Sequence, residues 1–273
     1  MSSGILLQLK KSLNLSAVSF KEALPATPKR IVSLVPSQTE LLHYLGLDEE
    51  VAGITKFCVH PQSWFRNKTR VGGTKNPDIE KIKSLQPDLI IANKEENRKE
   101  DIEELAEHFP VYVSDISTLE EALQMIADTG QITGTSARAE ELVTGIRNNF
   151  SLLQPVQPEI NAAYLVWQQP FMAAGGDTFI NDMMQRCGLK NIFGGTERYP
   201  ETTLEQLKEK DCRLLLLSSE PFPFNEKHLA ELNTALPGIK VLLADGEMFS
   251  WYGSRLLLSP GYFGKLITEF LAV

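Results

Sequence analysis

Positive charge is in short supply: 27 lysines and arginines stand against 35 aspartates and glutamates, a net charge of −8. No basic stripe is present to meet phosphates, which argues against a nucleic-acid partner. Cysteine is scarce as well. Cys58, Cys187 and Cys212 form no CxxC pair and no even set, so no disulfide framework is expected. Cys187 and Cys212 fall in apolar periodic segments and read as buried thiols. No apolar run approaches membrane-spanning length. An export signal is not evident either: Ile5–Leu7 is too short for its apolar region, and Lys10 and Lys11 follow it instead of preceding it. Taken as it begins, the chain is expected in the cytoplasm. Catalytic signatures are also missing. There is no G-x-S-x-G elbow, no HExxH and no close pair of catalytic carboxylates, so no enzymatic chemistry and no intrinsic cofactor are indicated.

What is present is apolar material enough for a core, 42% of 273 residues, arranged twice over. The centre of the plan is Thr135–Leu153. Ala139, Leu142, Val143, Ile146 and Phe150 recur at helical steps, Ser136 stands at the start, and Pro155 and Pro158 stop the run. Before it stands Ile79-Glu80-Lys81-Ile82-Lys83, followed by Asp88-Leu89-Ile90-Ile91. After it stands Leu204-Glu205-Gln206-Leu207-Lys208, followed at the same spacing by Arg213-Leu214-Leu215-Leu216. Gly72-Gly73-Thr74 and Gly194-Gly195-Thr196 precede the two copies. The reading is two α/β lobes with parallel sheets joined by one long helix: residues 1–133, a bridging helix over 134–155, and residues 156–273.

Within this plan, Arg30–Val35 reads as a strand buried on both faces. Ser37-Gln38-Thr39-Glu40 reads as a capping box opening a helix over Gln38–Leu45, and Thr203 with Gln206 as another. Asp78 is expected to cap Ile79–Leu85, and Asp177 to cap Thr178–Cys187. Leu15–Phe20 is read as an edge strand, and Ala244–Ser254 as a long loop. Ligands of parallel α/β sheets bind beyond the carboxyl ends of the strands. That rule selects Pro36–Gln38 (hence Ser37 and Gln38), Lys56–His60, Asn93–Asn97 and Ser114–Asp115 in the first half. In the second it selects Trp167–Phe171, Ser218–Phe222 and Asp245–Arg255. These loops hold Phe57, His60, Trp167, Phe222, Trp251 and Tyr252, which suits a flat, partly apolar small-molecule ligand.

Three sharper readings stand beside plainer ones. Cys58-x-His60 offers two donors of metal-ligating type, but a closed site needs about four; His60 is the better candidate, as an axial ligand or donor to a bound chelate. Gly175-Gly176-Asp177 could cradle a phosphate, but it lacks the P-loop lysine and reads as a helix-entry turn. Arg255 is placed either to meet an acidic group of the ligand or to form a salt bridge at a helix start.

The segment Arg30-Ile-Val-Ser-Leu-Val-Pro-Ser-Gln-Thr-Glu40, with Gly53-Ile-Thr55, Pro77-Asp-Ile-Glu80 and Pro87-Asp-Leu-Ile-Ile-Ala92, resembles the substrate-binding proteins of ABC importers for iron chelates and cobalamin. The likeness continues through Ala173-Ala-Gly-Gly-Asp177, Asn191-Ile-Phe193 and Thr203-Leu-Glu205, covering about residues 28–270. It implies two Rossmann-like lobes bridged by a helix, small lobe motion, and a corrinoid or iron chelate held between the lobes as transported ligand. It also implies a periplasmic or cell-envelope location, a monomer, and docking on the importer's membrane subunits through Glu80 and Glu205. Aromatics that flank cobalamin in such proteins match Phe57, Trp167 and Tyr199. One of their tryptophans aligns with Thr74, and the Cys58-Val59-His60 loop also departs from the pattern. The alternative on the same fold is a cytoplasmic corrinoid or metal-chelate carrier or sensor without a permease, and a third reading is an enzyme with a metal at Cys58 and His60.

Overall fold

The computed structural model describes residues 24–271, so the expected edge strand Leu15–Phe20 lies outside the described residues. The chain divides into two compact units. Of the described residues, one comprises 24–115, 121–145 and 252–254; the other comprises 116–120, 146–251 and 255–271.

The first unit runs β1 (Ile31–Ser33), α1 (Pro36–Tyr44), β2 (Val51–Ile54), α2 (Gln62–Asn67), β3 (Thr69–Arg70), α3 (Ile79–Leu85), β4 (Leu89–Asn93), α4 (Lys99–Ala106) and β5 (Val111–Ser114). Most of α5 (Leu119–Thr133) and the first half of α6 (Ser136–Leu152) follow. Its five strands are ordered β3-β2-β1-β4-β5 and are all parallel. Helical crossovers cover a parallel sheet on its faces, so its central strands are mainly apolar. Every residue of β1 and β4 is buried. One core cluster gathers Val32, Leu34, Ile82, Ile90, Leu105 and Phe109.

The second unit adds β6 (Ile160–Trp167), β7 (Phe171–Ala173), α7 (Phe179–Arg186), β8 (Leu189–Asn191), β9 (Glu201–Thr202), α8 (Leu204–Glu209), β10 (Leu214–Ser218), α9 (Glu226–Ala235), β11 (Lys240–Ala244), α10 (Gly246–Ser250) and α11 (Ser259–Leu271). The parallel core is β11-β10-β6. The remaining edge of β6 is shared. Ile160–Ala162 pairs in parallel with β8, whereas Leu165 and Trp167 pair antiparallel with β7, which carries β9 in turn. The fold is α/β, as expected; this antiparallel ribbon is a feature that the alternation of strands and helices did not suggest.

The bridging helix is present, over Ser136–Leu152. Two expected caps are corrected. Pro36 already occupies the first turn of α1, so the N-cap falls on Val35 and not on Ser37. At α7 the N-cap is Thr178, whose hydroxyl accepts from Asn181 N. Asp177 instead accepts from the backbone N–H of Arg198 at 2.5 Å. Thr203 and Gln206 do form a capping box, and Asp78 caps α3. No helix among the described residues is long and apolar enough to cross a membrane.

Candidate functional site

In the first unit all strands point the same way, so the loops after β1, β2, β4 and β5 gather at one edge. Their side chains are knitted into a buried polar network. Asn93 donates through Nδ2 to the Ser114 carbonyl at 3.0 Å, and its Oδ1 accepts from the N–H groups of Glu95 and Glu96. Asn97 accepts from Asn93 N at 2.9 Å and donates to the carbonyls of Leu34 and Thr74. Gln38 donates to Ser114 Oγ at 2.5 Å. Ser37, Gln38 and Thr74 are therefore buried parts of this network or of its border. Tyr252 is buried too, and Gly253 beside it packs on the first turn of α1. A Cβ there would sit 3.0 Å from the Ser37 carbonyl oxygen, a contact that a larger residue could make only if its neighbours gave way by a few tenths of an ångström.

Phe57 is the exception in this unit. It is 51% exposed, with its ring beside Gly73 and the Lys56 ammonium 5.0 Å from its centroid. His60 is half-buried. Cys58 is wholly buried, its thiol 3.1 Å from the hydroxyls of both Thr39 and Thr55. Burial pushes that thiol above its ordinary pKa, against the opposing hydrogen bond from Thr39. Cys58 is a core thiol engaged by hydroxyls of its own unit. Among the described residues no three metal-ligating side chains cluster.

The strand exits of the second unit are more open. Trp167 ends β6 and is 40% exposed, edge-on to Phe222 at 5.7 Å. Phe222 in turn meets Phe224 at 4.7 Å and His228 at 5.3 Å. Beyond β10 and β11 lies a cleft of about 480 Å³ whose walls include Ser219, Glu220, Phe224, Ala244, Asp245 and Glu247. Glu220 Oε1 accepts from Ser250 Oγ and from Trp251 Nε1, both at 2.9 Å. Burial raises the Glu220 carboxyl above its ordinary pKa, opposed by those two donors. Trp251, expected in a binding loop, is thus buried and tethered. Arg255 pairs with Glu247 at 2.8 Å, largely out of solvent, and its guanidinium lies 5.0 Å from the Trp251 ring. Of the two roles open to Arg255, the salt bridge is the one formed. Tyr199 is half-buried in the segment leading to β9. The Gly175-Gly176 turn serves a close backbone approach, since a Cβ on Gly176 would lie 2.0 Å from the Gly194 carbonyl oxygen. Glu220 was not singled out from sequence; its signal was an acid directly beyond a strand buried along its whole length.

Glu80 and Glu205 take the same place in their units, in the first turn of α3 and of α8 and exposed. Lys83 holds Glu80 and Glu104 at 3.0 Å each.

The family described as "Periplasmic binding protein" matches residues 31–236. The chain belongs to this family. Among its relatives, the vitamin B12-binding protein of Pectobacterium carotovorum subsp. carotovorum (strain PC1) is 24% identical over 244 residues, 86% of each chain. That of Photorhabdus laumondii subsp. laumondii is 27% identical over 212 residues, 76% of this chain and 77% of its own. Two solved structures share the fold. The periplasmic vitamin B12-binding protein of Vibrio cholerae superposes with a TM-score of 0.72 at 22% identity, covering 91% of this chain and all of its own. The apo periplasmic haem-binding protein from Roseiflexus sp. RS-1 gives 0.76 at 19%, covering 90% and 98%. The periplasmic binding protein family is one of solute carriers for ABC importers, not of enzymes, and none of these relatives favours the cytoplasmic carrier or sensor.

Proposed function

We propose that the protein binds a corrinoid or an iron chelate outside the membrane and presents it to the membrane subunits of an ABC importer. The carrying observation is the aromatic surface at the exit of β6, where Trp167 is 40% exposed with Phe222 against its edge. An exposed indole braced by a second ring suits the face of a large planar ligand and gains little from water. The match to vitamin B12-binding relatives over most of both chains supports the same reading. Binding requires no chemistry: apolar faces desolvate the ligand plane, and loop polar groups orient its rim. Phe57, also exposed, is a second apolar contact for the ligand in this reading. Glu80 and Glu205 serve as docking carboxylates, being exposed and related by the internal repeat.

The test is titration of the purified protein with cobalamin, cobinamide, haem and a ferric siderophore, read by tryptophan fluorescence and calorimetry. Saturable binding of one of them at micromolar affinity or better, about −8 kcal/mol, is expected, with the fluorescence response lost in Trp167→Phe. No heat and no quenching with all four overturns the reading. Glu80→Gln with Glu205→Gln is expected to abolish uptake while leaving affinity intact; undiminished uptake removes their docking role.

A further inference from the structure

Phe222, the ring against the edge of Trp167, stands in the segment between β10 and α9. Its backbone N–H reaches the Val166 carbonyl at 3.3 Å, which ties it to β6 beside Trp167. Its ring is braced from two sides. Phe224, a member of the core of the second unit, meets it at 4.7 Å. His228, the third residue of α9, meets Phe222 at 5.3 Å and Phe224 at 5.6 Å, edge-on to both. The imidazole has a second attachment. Its Nδ1 accepts from the Asn225 N–H at 3.2 Å and so completes the capping box that opens α9. Glutamate or glutamine is the usual residue at that place in a box. Either would satisfy the same N–H, but neither carries a ring. The cap fixes the imidazole in turn. Swinging it away from Phe222 would leave the Asn225 N–H without this acceptor. A nitrogen that accepts carries no proton, so in the neutral ring the proton is on Nε2.

We infer that His228 is a positioning residue for ligand binding, which uses the start of α9 to hold Phe222 against the exposed indole of Trp167. This rests on the proposed function, in which Trp167 meets the plane of the ligand. A side chain that is free before binding and fixed after it charges its lost rotamer freedom to the affinity. Phe222 is seated beforehand, between Phe224 and a ring that is itself pinned. The indole therefore has a fixed ring behind its edge when the ligand arrives. The same cap denies His228 another part. While Nδ1 accepts from Asn225, a neutral ring holds its proton on Nε2 and has no lone pair for a metal, so His228 braces the aromatic contact without ligating the metal of a bound chelate.

Two variants separate the ring from the cap, with cobinamide and haem as probes. His228→Gln keeps a capping side chain and deletes the ring. Its melting temperature is expected to stay near that of the unaltered protein, while the affinity for the probe that binds falls by about twofold to tenfold, the worth of one side chain left to be ordered on binding. His228→Phe keeps a ring and loses the acceptor. It is expected to melt at a lower temperature and to keep its affinity. In the unaltered protein, imidazole nitrogen shifts in NMR are expected to show Nδ1 unprotonated and Nε2 protonated. Undiminished affinity in His228→Gln overturns the inference, and so does an affinity that follows the melting temperature in both variants or a proton found on Nδ1. Trp167→Ala tests the reading beneath it. If that variant binds the probe as tightly as the unaltered protein, or if neither cobinamide nor haem binds at all, the proposed contact at Trp167 falls and the role of His228 falls with it.

Discussion

The centre of the first sheet, β2-β1-β4-β5, matches the parallel part of the second, β8-β6-β10-β11, strand for strand. The equivalent helices α3 and α8 enter β4 and β10 at the same spacing, each with an acid in its first turn. The edges where ligands are expected differ completely. In the first unit the exits of β1, β4 and β5 are closed by amides and hydroxyls bonded to one another. In the second, the exits of β6, β10 and β11 are aromatic and acidic and frame a cleft. A repeated backbone plan therefore fixes where the loops emerge but not what they do. One edge is built for fixed geometry, the other for contact. The β7–β9 ribbon belongs to this difference, since it takes the upper edge of β6 and sets Trp167 at the end of a paired strand.

The largest effect expected from breaking this arrangement is under the open edge. Phe249 is fully buried against Tyr164 at 5.0 Å and Phe263 at 4.6 Å, all within the second unit. Phe249→Ala removes the support of α10 and of the acidic wall. It should cost about 3–5 kcal/mol in denaturant unfolding, the range for truncating a buried phenylalanine. A loss under about 1 kcal/mol would mean that this core is loosely packed and that the wall does not depend on it.

A smaller effect probes the closed edge. Asn93→Ala removes the side-chain acceptor of the Glu95 and Glu96 N–H groups and one of the two donors to the Ser114 carbonyl, which keeps Lys94 N, and should cost roughly 2–3 kcal/mol for the buried bonds lost. Ser218 ends the equivalent strand β10 and receives the Tyr164 hydroxyl at 3.1 Å. Ser218→Ala breaks fewer bonds and should cost about 1 kcal/mol. Equal losses in the two variants would erase the contrast between a knitted edge and an open one.

Much of this was legible in the sequence because it depends on local rules. The long helix was readable from its apolar period, although the range 134–155 overran the observed Ser136–Leu152 by two residues at the start and three at the end. The Thr203–Gln206 box formed even though the Thr202 hydroxyl shares its Gln206 Oε1 acceptor. The failures came where a neighbour intervened. Pro36 starts α1 before Ser37 can cap it, and Thr178 takes the cap that Asp177 was expected to make. The helix α10 inside the expected loop Ala244–Ser254 has five residues, too few to show a period. Trp251 and Tyr252 read as exposed because they sit in a loop, but the indole N–H is held by Glu220, 31 positions away. Half-buried acids such as Glu220 are invisible to pattern because their partners are brought by the fold alone.

The smallest and most discriminating effects are two pH slopes of opposite sign within the second unit. Burial raises the folded-state pKa of Glu220, so its contribution is present in full below the unfolded value and is lost as pH rises through the folded one. Glu220→Gln keeps an acceptor for Trp251 and Ser250 and removes that loss. Its stability relative to the unaltered protein should therefore improve from about pH 4 toward neutrality, starting near the ordinary glutamate pKa. Glu205 is shifted the other way, lowered by its own backbone N–H and by the Thr203 hydroxyl. Its contribution is present above the unfolded pKa and fades as pH falls through the folded one. Glu205→Gln should thus be less stable at neutral pH, with the deficit closing in acid. Glu205 is exposed and screened, so its slope should be the shallower. Melting temperatures of the two variants across that range provide the check. Parallel slopes would show that Glu220 is solvated like Glu205 and that burial does not set its pKa.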